Sequence, residues 1–347
     1  MQEQEKTKAG DVQATSSIRT YIVKEYMHGK MQSDLAEFRE GSKIKTGYDN
    51  LDEITSMYPG LYVLGAISSL GKTTFVHQMC DQLAESGEEV IYFSLEQSVF
   101  DLASKSLARI MAKKDPDTAL TAAQIRSDGE NQKIAEAIAT YDTWGDKVTI
   151  IEGTFRLSIN DIEEYVRNFI RQKGKKPIVV VDYLQALADN EKTFSTKDLV
   201  DSNVRRLKQL QSDNKLVIIV ISSLNRQNYL SQIDFESFKE SGGIEYTADV
   251  VWGLQLNVIH DEIFNRNTNI NEKRQKIKEA KREMPRKIEL CCLKNRFGIS
   301  SYSCMFDYFS KYDYFVPNYN GVDISNAMAD KEGFISILHN FDGVPFE

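Results

Sequence analysis

The residues best placed to do chemistry in this chain are Ala66-Ile67-Ser68-Ser69-Leu70-Gly71-Lys72-Thr73-Thr74. A loop whose main-chain N–H groups point inward, running into a helix N-terminus, binds phosphate oxygens. Gly71 lets such a backbone approach its ligand closely. Lys72 supplies a charge for the outer phosphates of a nucleoside triphosphate, and the Thr73 hydroxyl suits Mg2+. The spacing is that of a Walker A phosphate loop (P-loop), with Ala66 where the first glycine is usual. Ala66, Ser68, Ser69, Gly71, Lys72, Thr73 and Thr74 are therefore candidate binders of ATP. A Gly-Lys-Thr in an ordinary strand-to-helix turn would look similar, but here an apolar strand precedes it and an amphipathic helix follows.

Hydrolysis needs carboxylates as well. Asp182 ends the apolar run Ile178-Val179-Val180-Val181, which puts it at the strand edge where α/β proteins bind ligands. It is a candidate holder of Mg2+. Glu96 follows the apolar stretch 90–95, where a carboxylate can orient and deprotonate an attacking water. The competing reading for both is a strand-end acid that caps a helix or sits in solvent.

These groups need a scaffold that brings strand ends together. Segments 61–65, 90–94, 148–152, 178–182, 216–222, 250–256 and 288–293 read as strands, and 73–85, 99–112, 130–141, 159–171 and 198–213 as helices. Several strands are apolar throughout, as in a parallel sheet covered on both faces. The alternation predicts an α/β domain, a mostly parallel twisted sheet flanked by helices with right-handed crossovers. Residues 301–316, rich in Tyr and Phe, predict a closing C-terminal β-hairpin. Residues 1–15 read as a disordered tail. Residues 16–45 carry one amphipathic helix, with Gly29 as a candidate break, and a linker. The main domain is expected over 46–320, with a C-terminal tail over 321–347.

Bulk properties narrow the class. The chain has 347 residues, 41% apolar and 27% charged, and no run of eighteen apolar residues that would span a membrane. Its polar start excludes a secretory signal. Cys80, Cys291, Cys292 and Cys304 form no CxxC pair, so neither a metal site nor a disulfide framework is expected, and a cytoplasmic location is. His77 and His260 read as packing or surface residues rather than ligands. A net charge of −8 argues against coating nucleic acid with the whole surface, though not against one local contact. Residues 271–287 hold eight Lys/Arg against three Glu. That segment is either a DNA-facing patch or a solvated helix with Glu–Lys pairs.

Several stretches together resemble the motor domain of DnaB-type replicative helicases, a branch of the RecA-like ATPases. They are Thr46-Gly47-Tyr48-Asp49-Asn50-Leu51-Asp52, the loop through Phe75, Phe93-Ser94-Leu95-Glu96 and Val180-Val181-Asp182-Tyr183-Leu184-Gln185. Ser222-Ser223-Leu224-Asn225-Arg226 and Glu240-Ser241-Gly242-Gly243-Ile244-Glu245, followed by Ala248-Asp249-Val250, complete the series in the family's order. The resemblance implies a RecA-like P-loop core and an ATP-driven DNA helicase, moving 5′ to 3′ on single-stranded DNA as a homo-oligomer, a hexameric ring by the family's habit. It implies that Glu96 and Lys72 act in hydrolysis. Lys294 and Arg296 would reach the neighbouring subunit's ATP, where a trans cation stabilises the transferring phosphoryl group. A basic turn at a strand end is the competing reading of that pair. The stretch Lys239, Glu240, Ser241 and Gly242 looks like the family's DNA-contacting loop, and the helix within 16–38 like its linker helix.

Two departures stand out. The family commonly has Gln at the position of Ser223, where it senses the outermost phosphate. Serine is too short for that, which leaves Asn225 and Arg226 as candidate substitutes. About 45 residues precede the motor segment, so the family's globular N-terminal domain, which meets primase, is not expected. That pattern suits a stripped-down helicase of a phage, plasmid or mobile element, or one that recruits its partners differently, with a primase or loader as the partner class the resemblance implies. Two other classes compete: a recombinase or clock-type RecA relative that remodels without unwinding, and a non-motor ATP switch or loader.

Overall fold

The computed structural model describes residues 21–41, 44–127, 131–154, 156–188, 195–225, 229–238, 242–265 and 269–319. The expected tails over 1–15 and 321–347 lie outside them. The chain divides into two compact units, one ending at Gly41 and one starting at Ser42.

In the first unit the expected single helix is two, α1 (Val23–Gly29) and α2 (Met31–Gly41). The break falls at Lys30, directly after Gly29, whose backbone freedom weakens a helix interior by about 1 kcal/mol relative to Ala. The Lys30 N–H still donates to Tyr26 O at 2.9 Å. Ile22, Val23, Met27 and Phe38 are exposed.

The second unit is built on one nine-stranded sheet. Its strands are β1 (Gly60–Ala66), β2 (Val90–Ser94), β3 (Val148–Glu152), β4 (Ile178–Asp182), β5 (Val217–Ser223), β6 (Val250–Leu256), β7 (Arg286–Asn295), β8 (Ser303–Phe309) and β9 (Tyr314–Asn318). The spatial order is β3-β2-β4-β5-β1-β6-β7-β8-β9. Every pair from β3 to β6 is parallel, and β6 through β9 pair antiparallel. The helices are α3 (Asp49–Asp52), α4 (Lys72–Glu85), α5 (Val99–Lys114), α6 (Ala122–Ser127), α7 (Gln132–Tyr141), α8 (Ile159–Lys173), α9 (Thr196–Asn214), α10 (Gly242–Thr247), α11 (Glu262–Asn265) and α12 (Ile270–Ala280).

Local chemistry explains the boundaries. Reciprocal capping boxes start α5 (Ser98 with Asp101) and α8 (Ser158 with Asp161), each satisfying otherwise orphaned N–H groups. Gly174 ends α8 at φ +65°. Every residue of β1, β2, β4 and β6 is buried, as their continuous apolar runs require. The hairpin β8–β9 closes the sheet where Tyr and Phe are dense. Tyr308 and Phe315 stack at 4.0 Å, and Phe315 meets Phe75 of α4 edge-on at 5.2 Å. Fully burying rings of this size contributes about 2–3 kcal/mol each, so the hairpin is pinned against the helix that follows the phosphate loop. The pinning is also polar. The Thr74 hydroxyl donates to Asp313 Oδ1 at 2.9 Å, and Gln78 Nε2 to Phe315 O at 2.8 Å.

Candidate phosphate site and its surroundings

Parallel register brings the expected groups to one edge of the sheet. Ala66 at the end of β1 lies opposite Ser223 of β5, and Ser94 of β2 lies opposite Asp182 of β4. Glu96 follows two residues later, and Leu95 N–H donates to Asp182 O at 2.7 Å. The loop 67–71 leaves β1 there and enters α4 at Gly71, whose φ of +96° is left-handed. Ser69 is also left-handed at φ 64°, so its main chain turns where a β-branched residue would be strained. A Cβ on Gly71 would sit 2.9 Å from both the Phe315 and Tyr308 rings.

Lys72 folds back along the loop, its Nζ donating to Ala66 O at 3.3 Å. Burial pushes its ammonium below the usual lysine value, while Asp182, Tyr229 and Glu96 pull it up. Asp182 is 1% exposed. Burial raises its carboxyl, opposed by the Thr73 and Tyr92 hydroxyls and by Lys72. Tyr92 donates to its Oδ2 at 2.8 Å, whereas the buried Oδ1 accepts no hydrogen bond of normal geometry. A buried carboxylate oxygen left open beside a threonine hydroxyl is a fitting pair of donors for a hard cation such as Mg2+. Glu96 stays open to solvent. Partial burial and the nearby Asp182 raise its carboxyl, and Lys72 lowers it. One lysine and two acids thus form a mutually coupled group around the loop. The Thr74 hydroxyl is engaged by Asp313, so only its main-chain N–H remains for a phosphate.

Ser223 N–H donates to Gln185 Oε1 at 3.3 Å, and Gln185 Nε2 to Ser222 Oγ at 2.9 Å. Asn225 turns away: its Nδ2 donates to Glu236 O and Phe238 O at 3.2 and 3.3 Å. Arg226 and the segment Lys239, Glu240 and Ser241 lie outside the described residues. Gly242, expected in a loop, is instead the first residue of α10. The N–H of Gly243 donates to Asp201 Oδ1 at 3.0 Å, which supplies the missing acceptor at that helix start.

Lys294 and Arg296 are elsewhere. β7 runs on through Asn295, so Lys294 lies within the strand rather than in a turn after it. β7 is antiparallel to β6, and Lys294 and Asn295 lie opposite Val251 and Val250 at the β6 start. Arg296 pairs with Asp249 (Nη1 to Oδ1, 3.2 Å), whose Oδ2 accepts Leu61 N–H at 2.8 Å and Lys208 Nζ at 2.6 Å. Lys294 donates to Glu245 O. Leu61 and Ala66 are at opposite ends of β1, about 17 Å apart at 3.3 Å per residue. The two cations therefore sit at the opposite edge from the phosphate loop of their own chain. Half of the Arg296 side chain, 49%, is exposed.

Several contacts have no local sequence signature. Lys281 Nζ donates to Ser68 O at 2.8 Å and Arg286 Nη1 to Ser69 O at 3.3 Å. Two cations of the basic segment 271–287 thus turn onto the loop, which neither sequence reading anticipated, and Arg274, Lys276, Lys278 and Arg282 remain exposed. Asp249 falls within a family-like stretch yet has no role that its neighbours in sequence suggest, and nothing around Tyr92 marks it as the partner of Asp182. His77 is fully buried, its Nε2 within 3.0 Å of Leu102 O and 2.9 Å of Ser106 Oγ. It is a packing residue, as expected. The four cysteines are free, and no described helix is long and apolar enough to cross a membrane.

A mostly parallel sheet with a phosphate loop after β1, Asp182 at the end of β4 and Glu96 just past β2 at the same edge defines a RecA-like P-loop core. The chain belongs to the DnaB-like helicase C-terminal domain family, whose model matches residues 43–316. It is 29% identical over 237 residues to the replicative DNA helicase DnaB of Pasteurella multocida (strain Pm70), covering 65% of this chain and 48% of that protein. It is 28% identical over 249 residues to the DnaB of Helicobacter pylori (strain J99 / ATCC 700824), covering 69% and 50%. The chain thus spans about half the length of the curated relatives it matches. Among solved structures, one ATPase domain superposes with a TM-score of 0.67 at 21% identity, covering 86% of this chain and 99% of that one. A DnaB-like replicative helicase, solved in a study of its interactions with primase, gives 0.65 at 21%, covering 87% and 68%.

Proposed function

We propose that this chain is the motor of an ATP-driven DNA helicase that assembles as a homo-oligomeric ring, a hexamer, and moves 5′ to 3′ on single-stranded DNA. The observation that carries the reading is the separation of the two halves of the site. The phosphate loop, Glu96 and Asp182 occupy one sheet edge and Lys294 with Arg296 the other. A complete hydrolytic site then needs a second copy, and turnover becomes dependent on assembly.

In this reading the loop amides and Lys72 bind the ATP phosphates. Thr73 and Asp182 hold Mg2+, which when bound neutralises charge on the outer phosphates. Glu96 takes the proton of the attacking water, and its raised carboxyl basicity suits it to that task. Lys294 and Arg296 of one copy stabilise charge on the nucleotide of the next. The segment 239–242 contacts the DNA backbone, which suits a motor that must ignore sequence. A primase or a loader is the partner class that the family suggests.

The test is turnover with and without single-stranded DNA, beside unwinding of a forked duplex. Stimulation by DNA and strand separation are expected, both abolished by Lys72→Ala. Turnover without strand separation would favour a remodelling ATPase or a switch, a reading that the short Ser223 side chain supports.

A further inference from the structure

Ser223 is short and its N–H already donates to Gln185, and Asn225 turns away, so neither side chain links the phosphate loop to the segment at 239–242. Residues 229–238 touch the end of β1 and the loop beyond it at two points. The Tyr229 hydroxyl lies 3.4 Å from Ser68 N, whose N–H donates to it, and 3.2 Å from Ser68 Oγ. Nine residues on, the buried Phe238 ring fills the space where a Cβ on Gly65 would stand. Between these points the segment is stiff. Ile233 N–H donates to Gln255 Oε1 at 2.9 Å, and Asp234 Oδ1 accepts from Ser237 N and Oγ at 2.8 and 2.7 Å. The next residue after Phe238 is Lys239.

We propose that Tyr229 is a positioning residue that transmits the state of the phosphate loop to the DNA-contacting segment, in the role left open by Ser223. This rests on the helicase reading above. Lys281 and Arg286 hold the carbonyls of Ser68 and Ser69, while Tyr229 meets the amide and hydroxyl of Ser68. Both Tyr229 contacts are long for their type, so a shift of a few tenths of an ångström in the loop makes or breaks them. The ring is partly buried against the core and lines a small cavity with Ile67, Leu224, Ile233 and Leu254. A ring seated this way turns a change at Ser68 into movement of 229–238 as a body, and linkage makes the effect reciprocal.

The experiment compares the full chain with Tyr229→Phe, which deletes only the hydroxyl. The readout is affinity for a labelled oligothymidylate with ADP and with a non-hydrolysable ATP analogue, beside ATP affinity and DNA-free turnover. The wild type should bind DNA differently in the two nucleotide states. Tyr229→Phe should shrink that ratio about fivefold, the size of one hydrogen bond, while ATP affinity and DNA-free turnover hold. Ser68→Ala retains the N–H and should shrink it less, and the double variant should match Tyr229→Phe, since the two share one contact. An unchanged ratio in Tyr229→Phe overturns the inference, as does a loss of ATP affinity equal to the loss of coupling. A wild type that neither binds DNA nor hydrolyses ATP defeats the helicase reading and this inference together. A coupled wild type with an unchanged variant defeats this inference alone.

Discussion

Burial moves Glu96 and His77 in opposite directions, because it disfavours the charged form of each. As the proposed base, Glu96 would have to be ionised to accept a proton from water, and partial burial with the Asp182 carboxylate nearby raises its pKa above the ordinary glutamate value. Activity should therefore be lost as pH falls through that raised value, with an acid limb above the ordinary glutamate value. Glu96→Gln should retain ATP binding and lower turnover by at least about a hundredfold. A pH–rate profile flat down to the normal glutamate range would count against Glu96 as the base. His77 is dehydrated in the core, and burial lowers its pKa from 6.5 to about 4. As pH falls the unfolded chain therefore takes up this proton before the folded one. The stability contributed by the neutral ring is complete above about pH 6.5 and lost towards pH 4, a span worth about 3 kcal/mol. Urea unfolding of wild type and His77→Gln across that window should give a shallower dependence in the variant. Parallel curves would contradict the assignment.

At the scale of elements, the loop 67–71 depends on Gly71 for both its turn and its neighbours. The residue sits at φ +96°, and a side chain there would press on Phe315 and Tyr308. A left-handed alanine costs about 1–2 kcal/mol before any clash. Gly71→Ala should weaken ATP binding by about tenfold or more and lower the melting temperature, and an unchanged ATP titration would mean that the loop has another way to turn. This element was legible in the sequence because strand, glycine, lysine and helix lie within one short stretch. The same holds for β4, where an apolar run ends on Asp182, and for the β8–β9 hairpin with its aromatic density. The brace around the loop was not legible. Tyr229 and Lys281 meet Ser68 across 161 and 213 residues, and no local periodicity encodes a contact of that span. The basic segment was legible only in part, for a related reason. Its charge pattern describes a solvated helix faithfully, but says nothing of the two cations beyond it that turn onto the carbonyls of Ser68 and Ser69.

For the whole molecule, the distance between sheet edges decides how the site can be completed. About 17 Å of β1 separates the end bearing the phosphate loop from the end where Asp249 orients Arg296. No side-chain rotation spans that gap, so within one copy Arg296 and Lys72 cannot act on the same nucleotide. Arg296→Ala should therefore still bind ATP and assemble, yet lose roughly a thousandfold in turnover, as expected for a missing trans cation. The decisive measurement mixes it with Lys72→Ala. Each variant alone is expected to be inactive. Where the phosphate loop of an Arg296→Ala copy faces the Arg296 of a Lys72→Ala copy, both halves are intact. Random mixing of equal amounts makes about one head-to-tail interface in four complete. Turnover should reappear on mixing, rise with time as subunits exchange, and vanish when both substitutions are placed in one chain. If mixing restores nothing while the two variants demonstrably co-assemble, Arg296 serves its own chain through a rearrangement of the sheet edge, and the ring is not what completes the site.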